Sequence, residues 1–146
     1  MSIPFDRLGI PAPLRKSVRA DAPRSAKMAV AKGLLPTTAD VQLALMYVLA
    51  VDEDKKVADT ARATLLNMPL QQILSGISQA TFPKIIDFIA EFRTEDGELD
   101  QRLVQIRTSP DRAMVNIARR ADKMLCEALC RNHERLLITP AVFVAL

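Results

Sequence analysis

The chain has 146 residues, of which 49% are apolar and 25% are charged, as is typical of a globular domain with its own core. It contains no tryptophan, one tyrosine and four glycines, which argues against a sandwich or barrel rich in turns and favours packed helices. The net charge of +3 is uneven, with +5 over residues 1–36, −6 over 37–100 and +4 over 101–146. This distribution differs from the broad basic field of a dedicated nucleic-acid binder and favours an interaction protein or pairing of charges within the molecule.

No uninterrupted apolar run approaches the ~20 residues that a membrane-spanning helix needs, and the first residues lack the apolar segment of a signal peptide. Two cysteines in such a chain indicate a reducing compartment. We therefore expect a protein of the bacterial cytoplasm, without a membrane partner.

The first 36 residues are interrupted by five prolines and read as a basic arm. Proline removes a backbone donor and disfavours helix at the preceding residue. We expect an extended segment over residues 1–12 and a short helix over 14–20. A second helix, with a stronger helical pattern, is expected over 24–32 and should end at Gly33. The arm carries a basic cluster of candidate contact residues, namely Arg15, Lys16, Arg19, Arg24 and Lys27.

Residues 37–146 carry helical periodicity throughout and are predicted to form a helical repeat domain. A helix capped by Thr37 or Thr38 has apolar residues on nearly every side, so it should be central and buried. The next helix, about 55–67, places Val57, Ala61, Leu65 and Met68 on one face. Four prolines each stand just before an apolar stretch, at the first position of a predicted helix, where proline is favoured: Pro69, Pro83, Pro110 and Pro140. The hydroxyls of Ser109 and Thr139 are expected to cap the helices that begin at the following proline.

Four similar units can be superposed, over residues 42–66, 70–93, 99–120 and 124–146. QRLVQIRTSPDRAMVNIARR and MLCEALCRNHERLLITPAVFVAL resemble the short helical repeats of HEAT-like and leucine-rich-variant proteins, and the middle of the chain resembles uncharacterised bacterial proteins of that type. The resemblance covers about residues 37–146. It implies an all-α fold of consecutive antiparallel helix pairs, as an α-solenoid or a compact bundle, with protein binding as the usual role and no catalytic residues to transfer.

The segment CEALCRNH brings together both cysteines and the one histidine, Cys126, Cys130 and His133. Thiolate and imidazole are good zinc ligands, but a structural site needs four ligands and the chain has no further cysteine or histidine. Redox sensing is the other functional reading. Leu125 and Leu129 flank the cysteines, and cysteine is often a small buried apolar residue, so we interpret this segment as core packing.

Two acidic clusters, Asp52–Asp54 and the carboxylates between Glu95 and Asp100, lack the spacing of a calcium loop and read as solvated turns between helices. No nucleophile motif, phosphate loop or dinucleotide fingerprint is present. We therefore expect no enzyme activity, no catalytic residue, no metal and no cofactor.

A second basic set, Arg112, Asn116, Arg119 and Lys123, is predicted to share one helical stripe. We expect a non-enzymatic interaction or scaffold module that presents this stripe or an apolar groove to another protein. The alternative is a HEAT-like protein that binds nucleic acid through its basic faces. The final AVFVAL has no polar cap, so its apolar face should be covered by the arm, by a further part of a longer chain, or by a second copy in a homo-oligomer.

Overall fold

The computed structural model describes residues 3–131, and every regular element in that range is an α-helix, which confirms the all-α class there. The described helices are α1 (Phe5–Leu8), α2 (Ala12–Val18), α3 (Arg24–Ala31), α4 (Ala39–Ala50), α5 (Lys55–Asn67), α6 (Leu70–Gly76), α7 (Pro83–Phe92), α8 (Gly97–Val104), α9 (Asp111–Arg119) and α10 (Lys123–Arg131). None of these helices is long and apolar enough to cross a membrane. The chain divides into two compact units, the first ending at Ile85 and the second beginning at Ile86.

The N-terminal segment is helical where an extended arm was expected. Phe5–Leu8 forms α1, and Gly9 ends it with φ 72°, a left-handed conformation that favours glycine. The side chains of Leu8 and Ile10 are buried, so this segment contributes to the apolar core of the first unit. The prediction of an extended stretch is therefore wrong for Phe5–Leu8. The two following helices lie close to their expected positions and pack with α4 and α5 in the first unit.

Helix α4 is the centre of the first unit, as its apolar pattern predicts. Eight of its twelve residues are buried, and it packs against α3, α5 and α6. Thr38 occupies the N-cap position but its side chain makes no capping hydrogen bond. Helix α5 begins and ends where predicted, and its expected apolar face is buried: Val57, Ala61, Leu65 and Met68.

The acidic turn between α4 and α5 is an ionic clasp and not the solvated turn that we expected. Asp52 Oδ2 accepts a hydrogen bond from Lys27 Nζ at 2.8 Å, and both side chains are 9% exposed. The other carboxylate oxygen of Asp52 accepts from the backbone N–H of Asp54 at 2.9 Å. Asp54 in turn caps α5 through the N–H of Lys56 and pairs with Arg24 at 2.8 Å. The clasp joins α3 to the start of α5.

Helices α4 and α6 approach closely at Gly76. A Cβ atom there would lie 2.7 Å from Leu43 Cδ1 and 2.9 Å from the backbone C and O of Ala39. The Ala39 backbone cannot give way as a flexible side-chain end can, so we expect Gly76→Ala to lower the free energy of unfolding by about 1–3 kcal/mol. Urea denaturation followed by far-UV circular dichroism measures this change.

The matched control for Gly76 is Gly97→Ala at the start of α8, where a Cβ would have no neighbour within 4 Å. That substitution should leave the stability unchanged or raise it by up to about 1 kcal/mol, because alanine restricts the unfolded chain. Equal effects at the two glycines would contradict the close approach of α4 and α6.

In the second unit, a buried ion pair holds three consecutive elements together. Arg120, which follows α9, donates from Nε and one terminal nitrogen to the two oxygens of Asp100 on α8, at 3.0 and 2.7 Å. Its other terminal nitrogen donates to the carbonyl of Ala90 on α7 at 2.6 Å. Burial raises the pKa of the Asp100 carboxyl from its ordinary 3.8, against the opposing effect of the Arg120 guanidinium. The second acidic cluster is thus also structural, since Asp96 pairs with Arg93 at 2.7 Å.

The prolines mark helix starts as predicted, but one expected cap does something else. Pro83 is the first residue of α7, and Pro69 and Pro110 occupy the N-cap positions of α6 and α9. Ser109 is buried, and its hydroxyl donates to the carbonyl of Leu103 near the end of α8 at 2.6 Å. This hydrogen bond ties the residue before α9 to the end of the preceding helix. The predicted helix after Pro140 and the cap at Thr139 lie outside the described residues.

Candidate functional site

The predicted basic cluster of the arm is largely neutralised within the first unit. Arg15 donates to Asp6 at 2.7 Å and to the carbonyl of Ile10 at 2.9 Å. Arg24 and Lys27 pair with the acidic turn described above, and Arg19 lies 3.6 Å from Asp21. Lys16 is exposed. The ion pairs of Arg24 and Lys27 join the basic head to the acidic middle, whereas Arg15 and Arg19 lie beside carboxylates of the head itself.

The predicted stripe of the second unit is divided between two helices. Arg112, Asn116 and Arg119 lie on α9, which ends at Arg119, whereas Lys123 begins α10. The expectation of one continuous helical stripe is therefore wrong for Lys123. Arg112 is 67% exposed and lies 3.8 Å from Asp87 and 3.7 Å from Glu91, so acidic side chains of α7 partly balance its charge.

The cysteines on α10 are less buried than we expected. Leu125 and Leu129 are buried, but Cys126 is only half-buried and Cys130 is exposed, so the prediction of core packing is wrong for Cys130. The thiol of Cys126 lies 3.9 Å from the carbonyl oxygen of Ala121. His133 lies outside the described residues. Within residues 3–131, no three histidine, cysteine, aspartate or glutamate side chains are grouped so as to hold a metal ion.

An open polar cleft in the first unit is a candidate site in the described part of the chain. It has a volume of about 350 Å³, within the range of ligand-binding pockets. Helices α4, α5 and α6 and the end of α3 form its walls. The residues that line this polar cleft are Lys32, Gly33, Gln42, Thr60, Ala63, Thr64, Asn67, Met68, Pro69 and Gln72.

Two glutamine side chains from different helices meet in the polar cleft. Nε2 of Gln72 on α6 donates to Oε1 of Gln42 on α4 at 2.7 Å. Gly33 makes room for this pair, because a Cβ at that position would lie 3.0 Å from Gln42 Nε2. Its φ of 75° is left-handed, as is usual for a glycine just after a helix. The residue expected only to end α3 therefore also shapes the cleft.

The α5 wall of the polar cleft is held by hydrogen bonds to the backbone. The Thr64 hydroxyl donates to the carbonyl of Ala31 at the end of α3, and also lies within reach of the carbonyl of Thr60 at 3.0 Å. The Thr60 hydroxyl donates to the backbone carbonyl of Lys56, one turn earlier, at 2.7 Å. The Asn67 side-chain amide donates in the same way to the carbonyl of Ala63 at 3.0 Å. These bonds fix the side-chain orientations, so the wall is preorganised.

The lining can form hydrogen bonds and contains one ionisable side chain, that of Lys32. It offers amides, hydroxyls and one ammonium, with no carboxylate, imidazole or thiol among the residues that line it. It also has no aromatic ring on which a base could stack. The arrangement can recognise a polar ligand, and it provides no nucleophile paired with a base.

Sequence reasoning missed the polar cleft. Gln42 is a polar residue inside an otherwise apolar helix, and that interruption was a signal available in the sequence. Its partner Gln72 lies 30 residues further on. No local pattern connects the two, so only the packing of α4 against α6 reveals the pair.

Comparison with known proteins found no match to this chain among protein-family models, curated proteins or solved structures. The expected relationship to HEAT-like repeat proteins has no support from these comparisons and stays a prediction.

Proposed function

We propose that this protein is a non-enzymatic interaction module that binds another protein through the polar cleft. The observation that carries the proposal is the lining itself, which is preorganised and rich in hydrogen-bonding groups but has no carboxylate, imidazole or thiol among its members. Binding without chemistry is the function that such a set of side chains supports best.

The charges favour a protein partner over nucleic acid. A phosphate backbone is bound by several unpaired cations, and a single strand is also bound by stacked aromatic rings. The polar cleft contains one lysine and no aromatic residue, and Arg15, Arg24 and Lys27 of the predicted basic cluster are engaged by carboxylates. The nucleic-acid alternative therefore gains no support from this arrangement.

A site-specific photo-cross-linking experiment tests the proposal. The cross-linking residue p-benzoylphenylalanine replaces Ala63, an exposed residue that lines the polar cleft, or, as the matched control, the exposed Ala80 outside it. In extract of the source cells treated with nuclease, we expect one protein to be cross-linked from position 63 and not from position 80. That protein, once identified and purified, should bind the purified chain directly, with an affinity lowered by Gln72→Ala.

Two results would overturn the proposal. One is a cross-link from position 63 to nucleic acid that is seen in untreated extract and disappears in the nuclease-treated extract. The other is a protein cross-linked equally from positions 63 and 80, or from neither, since then the polar cleft is not the contact surface.

A further inference from the structure

The glutamine pair in the polar cleft leaves amide donors and one amide oxygen unused. Gln72 donates one N–H to Gln42 Oε1, so both N–H groups of Gln42, the second N–H of Gln72 and Oε1 of Gln72 remain. None of these groups has another protein partner among the described residues. Exchanging the oxygen and nitrogen of both amides reverses the bond and moves the free acceptor to Gln42 and the free amide nitrogen to Gln72, so a free donor still lies beside a free acceptor.

A free donor beside a free acceptor complements a group that offers the same two functions. A peptide unit of an extended chain does so, because its C=O can accept from one glutamine while a neighbouring N–H donates to the other. Both glutamines are half-buried, and their mutual hydrogen bond holds them in place. The loss of side-chain freedom on binding is therefore small.

Charge and apolar surface specify the ligand further. Lys32, exposed at the end of α3, is the one charged residue in the lining of the polar cleft, so it favours an acidic side chain. Leu34, which follows the lining residue Gly33 in the chain, is 69% exposed. An exposed leucine next to a polar site is suited to cover an apolar side chain of a partner.

We propose that the polar cleft binds an extended, acidic segment of its partner's polypeptide chain. The Gln42–Gln72 pair would hydrogen-bond its backbone, Lys32 would contact a carboxylate, and Leu34 would contact an apolar residue. This inference rests on the proposed function and adds the chemical class of the ligand to it.

The test is selection from a random ten-residue peptide library displayed on phage, with the whole purified chain as bait. We expect the selected peptides to share an aspartate or glutamate next to an apolar residue. In binding assays with one selected peptide, Lys32→Glu should weaken binding about tenfold, and Gln42→Ala or Gln72→Ala about fivefold to tenfold. Selection repeated on Lys32→Glu should yield basic peptides instead.

Matched controls separate binding from folding. Gln71→Ala changes the exposed neighbour of Gln72 on the same helix, and Lys84→Glu reverses an exposed lysine outside the polar cleft. Both should bind the selected peptide like the unaltered chain. Circular dichroism should show the same helix content in every variant.

The outcomes also distinguish this inference from the proposed function. If the selected peptides have no acidic residues but their binding is lost in the Gln72→Ala variant, the acidic specificity is overturned and the proposal that the cleft binds a protein still stands. Peptides insensitive to Gln42, Gln72 and Lys32, or no selected peptide at all, would overturn the inference, while the cross-linking experiment decides independently whether the cleft contacts a protein.

Discussion

Replacing Lys27 with methionine should lower the free energy of unfolding by about 3–5 kcal/mol, because Asp52 then remains charged in a buried position without its partner. Both side chains of the pair are 9% exposed, so water cannot replace the lost ammonium easily. The substitution also removes the hydrogen bond from Lys27 Nζ to the carbonyl of Ala20, at 3.1 Å. Urea denaturation measures the loss, and amide hydrogen exchange should locate it in α3, α4 and α5.

A control and a rescue identify the cause of that loss. Lys16→Met removes an exposed lysine of α2 and should change the stability by no more than about 0.5 kcal/mol. Asp52→Asn in the Lys27→Met background should recover part of the loss, because the buried charge is removed while an oxygen remains for the Asp54 N–H. A Lys27→Met effect as small as that of Lys16→Met would show that the clasp contributes nothing to stability.

Replacing Arg120 with methionine should destabilise the second unit by a similar amount, about 3–5 kcal/mol. Asp100 is 4% exposed and would lose both hydrogen bonds of the paired guanidinium, and the carbonyl of Ala90 would lose its donor. Arg120→Lys should recover only part of the stability, since an ammonium cannot reproduce the bidentate geometry. Urea denaturation gives the magnitude, and hydrogen exchange should place the loss in α7, α8 and α9.

The adjacent Arg119 provides a matched control for Arg120. It is exposed, it belongs to the predicted contact stripe, and Arg119→Met should alter the stability by no more than about 0.5 kcal/mol. Equal losses at positions 119 and 120 would contradict a specific buried pair and would point to a general requirement for positive charge at the end of α9.

Three buried or partly buried ionic groups show where sequence reasoning reaches its limit. Lys27 was predicted as part of a basic surface cluster, and Asp52 and Asp100 as members of solvated turns, since charged residues are usually exposed. Each instead has a partner from another element, at 25 residues' separation for Lys27 and Asp52 and at 20 for Arg120 and Asp100. Local sequence contains no signal for such pairs, because the partner that offsets the cost of burial is supplied by the fold.

The candidate site divides in the same way. The sequence identified the basic residues of α9, which the structure leaves on the surface, but it did not identify Gln42 and Gln72 as a pair. Gln42 was visible as a polar interruption in an apolar helix. Its role in the cleft depends on its contact with Gln72, on the space left by Gly33 and on the packing of α6 against α4. Helical periodicity does not predict any of these contacts.

Local sequence patterns were enough to predict the all-α class, the burial of α4, the apolar face of α5 and the positions of most described helix starts. These features depend on the spacing of apolar residues and on the backbone restrictions of proline and glycine, which act over a few residues. The tertiary structure alone decided which charges are buried in pairs and which polar side chains converge in the cleft. Those outcomes depend on contacts between residues 20 or more positions apart, whose energies arise only once the helices have packed.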